Sequence, residues 1–384
     1  MLGPHAALLY DLRSVSSSRP SPPSGPEPRR RLPLGKKLLF ALVPLLGFLL
    51  FAELVARCIR GPFHFGSYRQ LRVDQVHRGY PAVYDALLGY APRPDFSSDD
   101  NHWGTRVTID ARGLRSNGNP APVQGKPIVA VGDSFTFGDQ VNDDESWPAH
   151  LERLLGRPVR NGGVFGYSFA QTVLRAEQLL AQEPAEWLVL SFLPDDLSRC
   201  EFSKRYAPVP WFEIVDGRLE LRNVPVQDTS HPEEVPQRRF KDLLGHSALL
   251  DAIFAMTRKA WWVTDQKERR VHPGGKGNEI GLLLVDRIAA HCRERQCRLL
   301  VVLQGEKSLP GADAVLARAA AAGARTLDLV ARYQEELRRD PGAKARLFDG
   351  HMTSAGNRWV AEQIAAAIRE VRPGNEPVPA GFRR

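Results

Sequence analysis

Cysteine is scarce in this chain: Cys58, Cys200, Cys292 and Cys297 are the only four in 384 residues. That excludes a disulfide-dense scaffold, and the spacing matches no zinc pattern. Cys292 and Cys297 would pair only in an oxidising compartment and otherwise read as ordinary thiols. The ten histidines include no i, i+4 pair and no His-Glu-x-x-His, and no Walker-type glycine loop occurs. No metal and no cofactor are therefore expected. Internal repeats are also missing.

Charge is nearly absent from Leu38–Ala56 (LLFALVPLLGFLLFAELVA), where Glu53 is the only ionisable residue in 19. At about 1.5 Å rise per residue such a helix spans about 28 Å, close to the ~30 Å hydrocarbon core. The net charge of +8 is uneven too: Met1–Lys37 holds seven Lys/Arg against Asp11 and Glu27, so five of the eight excess charges lie there. A basic lead before an apolar segment fits a membrane anchor with a cytoplasmic N-terminus better than nucleic-acid binding. A cleaved signal sequence is the alternative, although no small-x-small site follows the apolar run. These features predict a basic cytoplasmic tail lacking a core (residues 1–35), a single transmembrane anchor (36–60) and an extracytoplasmic, periplasmic domain beyond it.

Residues 61–125 read as an irregular lead-in, with Thr105–Asp110 alternating like a strand and Ala111–Leu114 as a turn. From residue 126 to 372, apolar runs of strand length alternate with helical patterns. Ile128–Val131, Pro158–Asn161, Trp187–Phe192 and Leu299–Leu303 read as strands, and the longer runs do not alternate in polarity, as strands covered on both faces should not. Ser146 and Ser168 sit at N-cap positions and Gly156 at a stop. A last helix is expected near Ser354–Val371, before a tail at 373–384. The fold class is α/β: a three-layer α/β/α sandwich on a parallel sheet, flavodoxin-like, plus the N-terminal transmembrane helix. An insertion over about 193–278, rich in proline and charge, interrupts the alternation as a substrate lid or as added cover for the core. Its Trp261-Trp262 pair reads as core or as a sugar-stacking platform.

The chemistry-bearing residues follow the strands. Gly132-Asp133-Ser134 follows the first run, placing a serine on rigid backbone, and Asp349-Gly350-His351 puts a histidine 217 residues after that serine. An aspartate two residues before a histidine can orient an imidazole toward a hydroxyl. Gly132-Asp-Ser134, Asn161-Gly-Gly-Val-Phe-Gly166, the Asp195-Asp196 loop and Asp349-Gly-His351 resemble, in order, the blocks of the SGNH/GDSL hydrolase superfamily. The Asp-x-His spacing is one residue shorter than the commoner pattern and resembles the alginate O-acetylation branch.

The resemblance implies Ser134 as nucleophile, His351 as general base and Asp349 as the residue that holds its tautomer. It implies an oxyanion hole from the Ser134 and Gly166 N–H groups and an asparagine amide. Where that asparagine belongs, this chain has Asp195 within Leu193-Pro194-Asp195-Asp196. An ionised carboxylate only accepts hydrogen bonds, so Asp195 is expected to be protonated, turned away or replaced, with Arg199 the candidate replacement. The implied function is a membrane-anchored serine esterase acting on acyl esters, O-acetyl esters above all, of a small molecule or carbohydrate. The alternatives are a polysaccharide O-acyltransferase and a non-catalytic SGNH-fold binding or assembly module. No nucleic acid is expected as a partner, and the sequence identifies no protein partner.

Overall fold

The structure, a computed structural model, describes residues 33–59, 80–99, 103–119, 124–231, 239–258 and 268–370. The chain divides into two units, Met1–Pro62 and Phe63–Arg384. In the first, helix α1 (Leu34–Ile59) has 26 residues and buries none of them. By length and composition it is apolar enough to cross a membrane. The helix starts four residues before the apolar run and ends three after it. Its lone acid, Glu53, pairs with Arg57 one turn on, at 2.7 Å. The basic tail lies largely, and the C-terminal tail wholly, outside the described residues.

The second unit is built on five parallel strands: β1 (Ile128–Val131), β2 (Val159–Asn161), β3 (Trp187–Phe192), β4 (Arg298–Leu303) and β5 (Arg325–Asp328). Their order is β2-β1-β3-β4-β5, with Val129 beside Arg160 on one side and Leu188 on the other. This is the flavodoxin-like doubly wound order, in which the chain reverses direction across the sheet between β1 and β3.

Side chains alternate across the sheet with a period of two. Val129, Val131, Leu188, Leu190, Val301 and Leu303 face one buried cluster, which includes residues of α4 (Phe169–Gln182), α6 (Lys276–Glu294) and α7 (Ala312–Ala321). Ile128, Ala130, Trp187, Val189, Leu300 and Val302 face the other, with α3 (Trp147–Leu155), α8 (Leu329–Arg339) and α9 (Ser354–Arg369). Both faces are covered, which explains why the strand sequences show no polar alternation. Each fully buried Leu or Val contributes roughly 1.5–3 kcal/mol relative to exposure.

Local signals act where the sequence places them. Ser146 caps α3 by accepting from Ala149 N–H, and Gly156 ends it in the left-handed region. Ser168 and Gln171 form a reciprocal capping box on α4. In the lead-in, Phe96–Ser98 pairs antiparallel with Val107–Ile109. Arg115 bridges to Asn161 at the end of β2 and so covers that edge of the sheet.

The insertion holds α5 (Pro194–Arg199) and the hairpin Trp211–Val215 with Arg218–Arg222. Ala207, Val209 and Phe212 are buried in the first core cluster, so this segment covers core as well as flanking the site. Helix α6 begins at Lys276. Trp261 and Trp262 lie outside the described residues.

Candidate active site

Ser134 stands at the carboxyl end of β1, at the switch point where open α/β sheets bind ligands. It opens a four-residue helix, α2 (Ser134–Phe137), that Asp133 caps by accepting from Phe135 N–H at 3.0 Å. Gly132 is required just before it: a Cβ there would lie 2.8 Å from the Ser191 carbonyl oxygen and 2.2 Å from Thr136 Oγ1. The turn is closed by Gly138 and Asp139, whose N–H groups both donate to the Ser134 carbonyl.

His351 reaches this serine from the far end of the chain. Phe348–Asp349 and His351–Met352 form a short antiparallel pair in which Asp349 lies opposite His351. The His351 N–H donates to Gln140 Oε1 at 2.9 Å, and its ring packs on Phe135 at 5.3 Å between centroids. Its Nε2 then lies 3.0 Å from Ser134 Oγ. With the ring proton on Nδ1, the hydroxyl donates to Nε2, the geometry of a nucleophile beside its base.

Asp349 is not joined to that pair. Its side chain is exposed and makes no hydrogen bond or ion pair among the described residues, lining instead a neighbouring hollow with Gln140 and Glu145. The register explains how it remains near: residues directly opposite in an antiparallel pair project from the same face, with Cβ atoms about 5 Å apart.

Asp195 also departs from the asparagine role. Its carboxylate accepts from Arg199 Nε at 2.9 Å, Ser198 Oγ at 2.9 Å and Arg205 Nη1 at 3.2 Å, and it lies outside the cavity wall. Burial opposes its ionisation, but Arg199, Ser198 and Arg205 outweigh burial and hold its pKa below the usual range. Of the three possibilities read from the sequence, Asp195 is turned away and ionised, while Arg199 lines the cavity. Arg199 Nη1 donates to the Tyr167 carbonyl at 2.9 Å, contacts Asp133 at 3.4 Å and pairs with Asp196 at 2.6 Å. Its Nη2 makes no hydrogen bond among the described residues. Burial works against the guanidinium, yet Asp196, Asp133 and Asp195 together hold its pKa above the ordinary value.

These groups surround a cavity of about 210 Å³. Ser134, His351, Asp139, Gly166, Arg199 and Tyr206 line it, with Tyr80 and Phe165. Gly166 has φ +70, and a Cβ on it would lie 2.6 Å from the Tyr206 ring. Tyr80 stacks on Phe165 at 4.4 Å and meets Trp103 edge-on at 5.3 Å. Burial, with Asp139 nearby, pushes the Tyr80 phenol up to about 12, so it stays protonated. Neither the Ser134 nor the Gly166 backbone N–H has a hydrogen-bond acceptor among the described residues. No group of three or more His, Cys, Asp or Glu arranged to hold a metal occurs among them either.

Reading the sequence missed Asp139, Arg115, Tyr80 and Tyr206. Arg115 is buried and donates to the carbonyls of Phe137, Gly138 and Val141, fixing the loop that carries Asp139 and Gln140. Asp139 lies five residues after Ser134, and that proximity was the only available signal for it. The other three come from distant segments and meet only in the fold.

No family model matches the chain, and no curated protein does. Among solved structures it is similar to one described as a lipolytic protein of the G-D-S-L family from Desulfitobacterium hafniense DCB-2, at 12% identity and TM-score 0.32, over 63% of this chain and 99% of that one. It is similar to TesA at 13% identity and TM-score 0.34, over 64% and 99%. A catalytic mutant of Axe2, an acetylxylan esterase from Geobacillus stearothermophilus, gives 13% and 0.35, over 64% and 95%. At these identities and scores the side-chain geometry, and not the likeness, supports a functional reading.

Burial lowers the His351 pKa, with Asp133 opposing that and Arg199 adding to it. An NMR titration of the His351 ring should therefore give a midpoint below the ordinary ~6.5. A midpoint at or above that value would contradict the buried placement.

Proposed function

We propose that this chain is a serine ester hydrolase of the SGNH type that cleaves short acyl esters through an acyl-enzyme. The reading rests on one observation, the 3.0 Å contact between Ser134 Oγ and His351 Nε2 inside a small cavity. A neutral His351 accepts the Ser134 proton as Oγ attacks the carbonyl carbon. The free N–H groups of Ser134 and Gly166 receive the negative oxygen, with Arg199 Nη2 as third donor in the place of an asparagine amide. The imidazolium then returns its proton to the departing alcohol, and water repeats the sequence on the acyl-enzyme. Asp349, after rotating toward Nδ1, holds the imidazole in the tautomer that the attack needs.

Cavity size supports a short acyl group. A cavity of about 210 Å³ at Ser134 has room for an acetyl ester. O-acetylated carbohydrate is the substrate class that the sequence resemblance implies.

A fluorophosphonate probe tests the reading. Labelling should occur on the wild type, vanish in Ser134→Ala, and slow by at least about 10²-fold in Asp349→Ala. Absence of labelling on folded wild type favours a non-catalytic module, and an unchanged rate in Asp349→Ala removes that residue from the site.

We also propose that α1 anchors the catalytic unit to a membrane, with the basic tail on the cytoplasmic side and the site outside the cytoplasm. Full-length protein should then fractionate with membranes and resist carbonate extraction, while a variant beginning at residue 61 should be released. Equal release of both would reject the anchor.

A further inference from the structure

Asp139 is a buried acid that the reaction as described leaves unused. Its side chain is 2% exposed, its Oδ2 lies 3.8 Å from His351 Nε2, and it lines the cavity beside Ser134. Its buried Oδ1 has no hydrogen-bond partner among the described residues. A buried carboxyl without partners is costly, and such groups concentrate where they do chemistry.

We propose that Asp139 is a further catalytic residue: its carboxyl group donates a hydrogen bond to the alcohol oxygen of the ester as the bond to the acyl carbon breaks. This deepens the esterase reading and rests on it. The departing oxygen must come within hydrogen-bond reach of His351 Nε2 to recover a proton, and Asp139 Oδ2 opens beside that nitrogen. The carbonyl oxygen is instead directed to the Ser134 and Gly166 N–H groups. Burial raises the Asp139 pKa well above the ordinary carboxylate range, Arg115 only partly offsetting it and Asp133 adding to it, which favours the proton-bearing form that can donate. Tyr80, on the same cavity, keeps its own proton and adds no charge. No proton changes owner in this contact: the imidazolium still reprotonates the alcohol, and Asp139 stabilises the charge developing on that oxygen meanwhile.

Leaving-group dependence tests the proposal. An alkyl acetate expels a basic alkoxide and needs the donor, whereas p-nitrophenyl acetate expels a stable phenolate and needs it little. In the full-length protein, Asp139→Ala should lower kcat/KM for the alkyl ester by about 10²–10³-fold, the usual cost of one such donor, and for the aryl ester by less than about tenfold. Asp139→Asn, whose amide still donates, should lower the alkyl rate by only about tenfold. Equal losses on the two esters, or an Asn variant as impaired as the Ala variant, would overturn the proposal. Should the Ala variant not fold, infrared difference spectroscopy decides with the Asn variant alone: a protonated-carboxyl band present in wild type near neutral pH and absent from Asp139→Asn supports it, and no such band overturns it. Wild type that turns over neither ester and takes no phosphonate label would instead sink the hydrolase reading itself.

Discussion

One buried guanidinium holds the catalytic rim together. Arg199 reaches Asp133, which precedes the nucleophile, Asp196 at the start of its own helix, and the Tyr167 carbonyl, which follows Gly166. Three loops that leave three different parallel strands are thereby tied to one side chain. Asp133 and Asp196 are both pushed upward by burial, and Asp196 further by Asp133, so each depends on the positive charge between them. Removing one partner of such a buried set typically costs about 3–5 kcal/mol, because the charge left behind has no water to stabilise it. Arg199 also lines the cavity, so one residue serves the architecture and the proposed oxyanion site together.

The sheet supplies the frame. Reversal of the winding between β1 and β3 opens a crevice at the strand ends, and Ser134 and Arg199 come from the two strands that flank it. His351 needs a different device, a two-residue hairpin anchored by Gln140. Gln140 sits at φ 70, an uncommon conformation for a residue other than glycine. The loop bearing it is stitched by Arg115, so a residue of the lead-in segment supports the loop on which His351 rests.

Much of the fold was legible because burial on both faces leaves plain apolar strands, and because caps such as Ser146 and Ser168 act locally. The serine and histidine were legible from their motifs. Asp349 was placed by analogy of spacing, and its departure reflects a surface side chain whose orientation sequence does not set. Asp195 was recognised as an anomaly, but its partners Arg205 and Ser198 were not, since the contact depends on how the insertion folds back. Asp139, Tyr80 and Tyr206 carried no pattern of their own: each becomes meaningful only when loops separated by tens of residues converge.

The most direct measurement is a crystal structure of the protein phosphonylated at Ser134. The phosphoryl oxygen should lie about 2.7–3.1 Å from Ser134 N, Gly166 N and Arg199 Nη2, with His351 Nε2 on the opposite side facing the ester oxygen. An adduct whose phosphoryl oxygen points to solvent, with Arg199 and Gly166 out of reach, would contradict that oxyanion site.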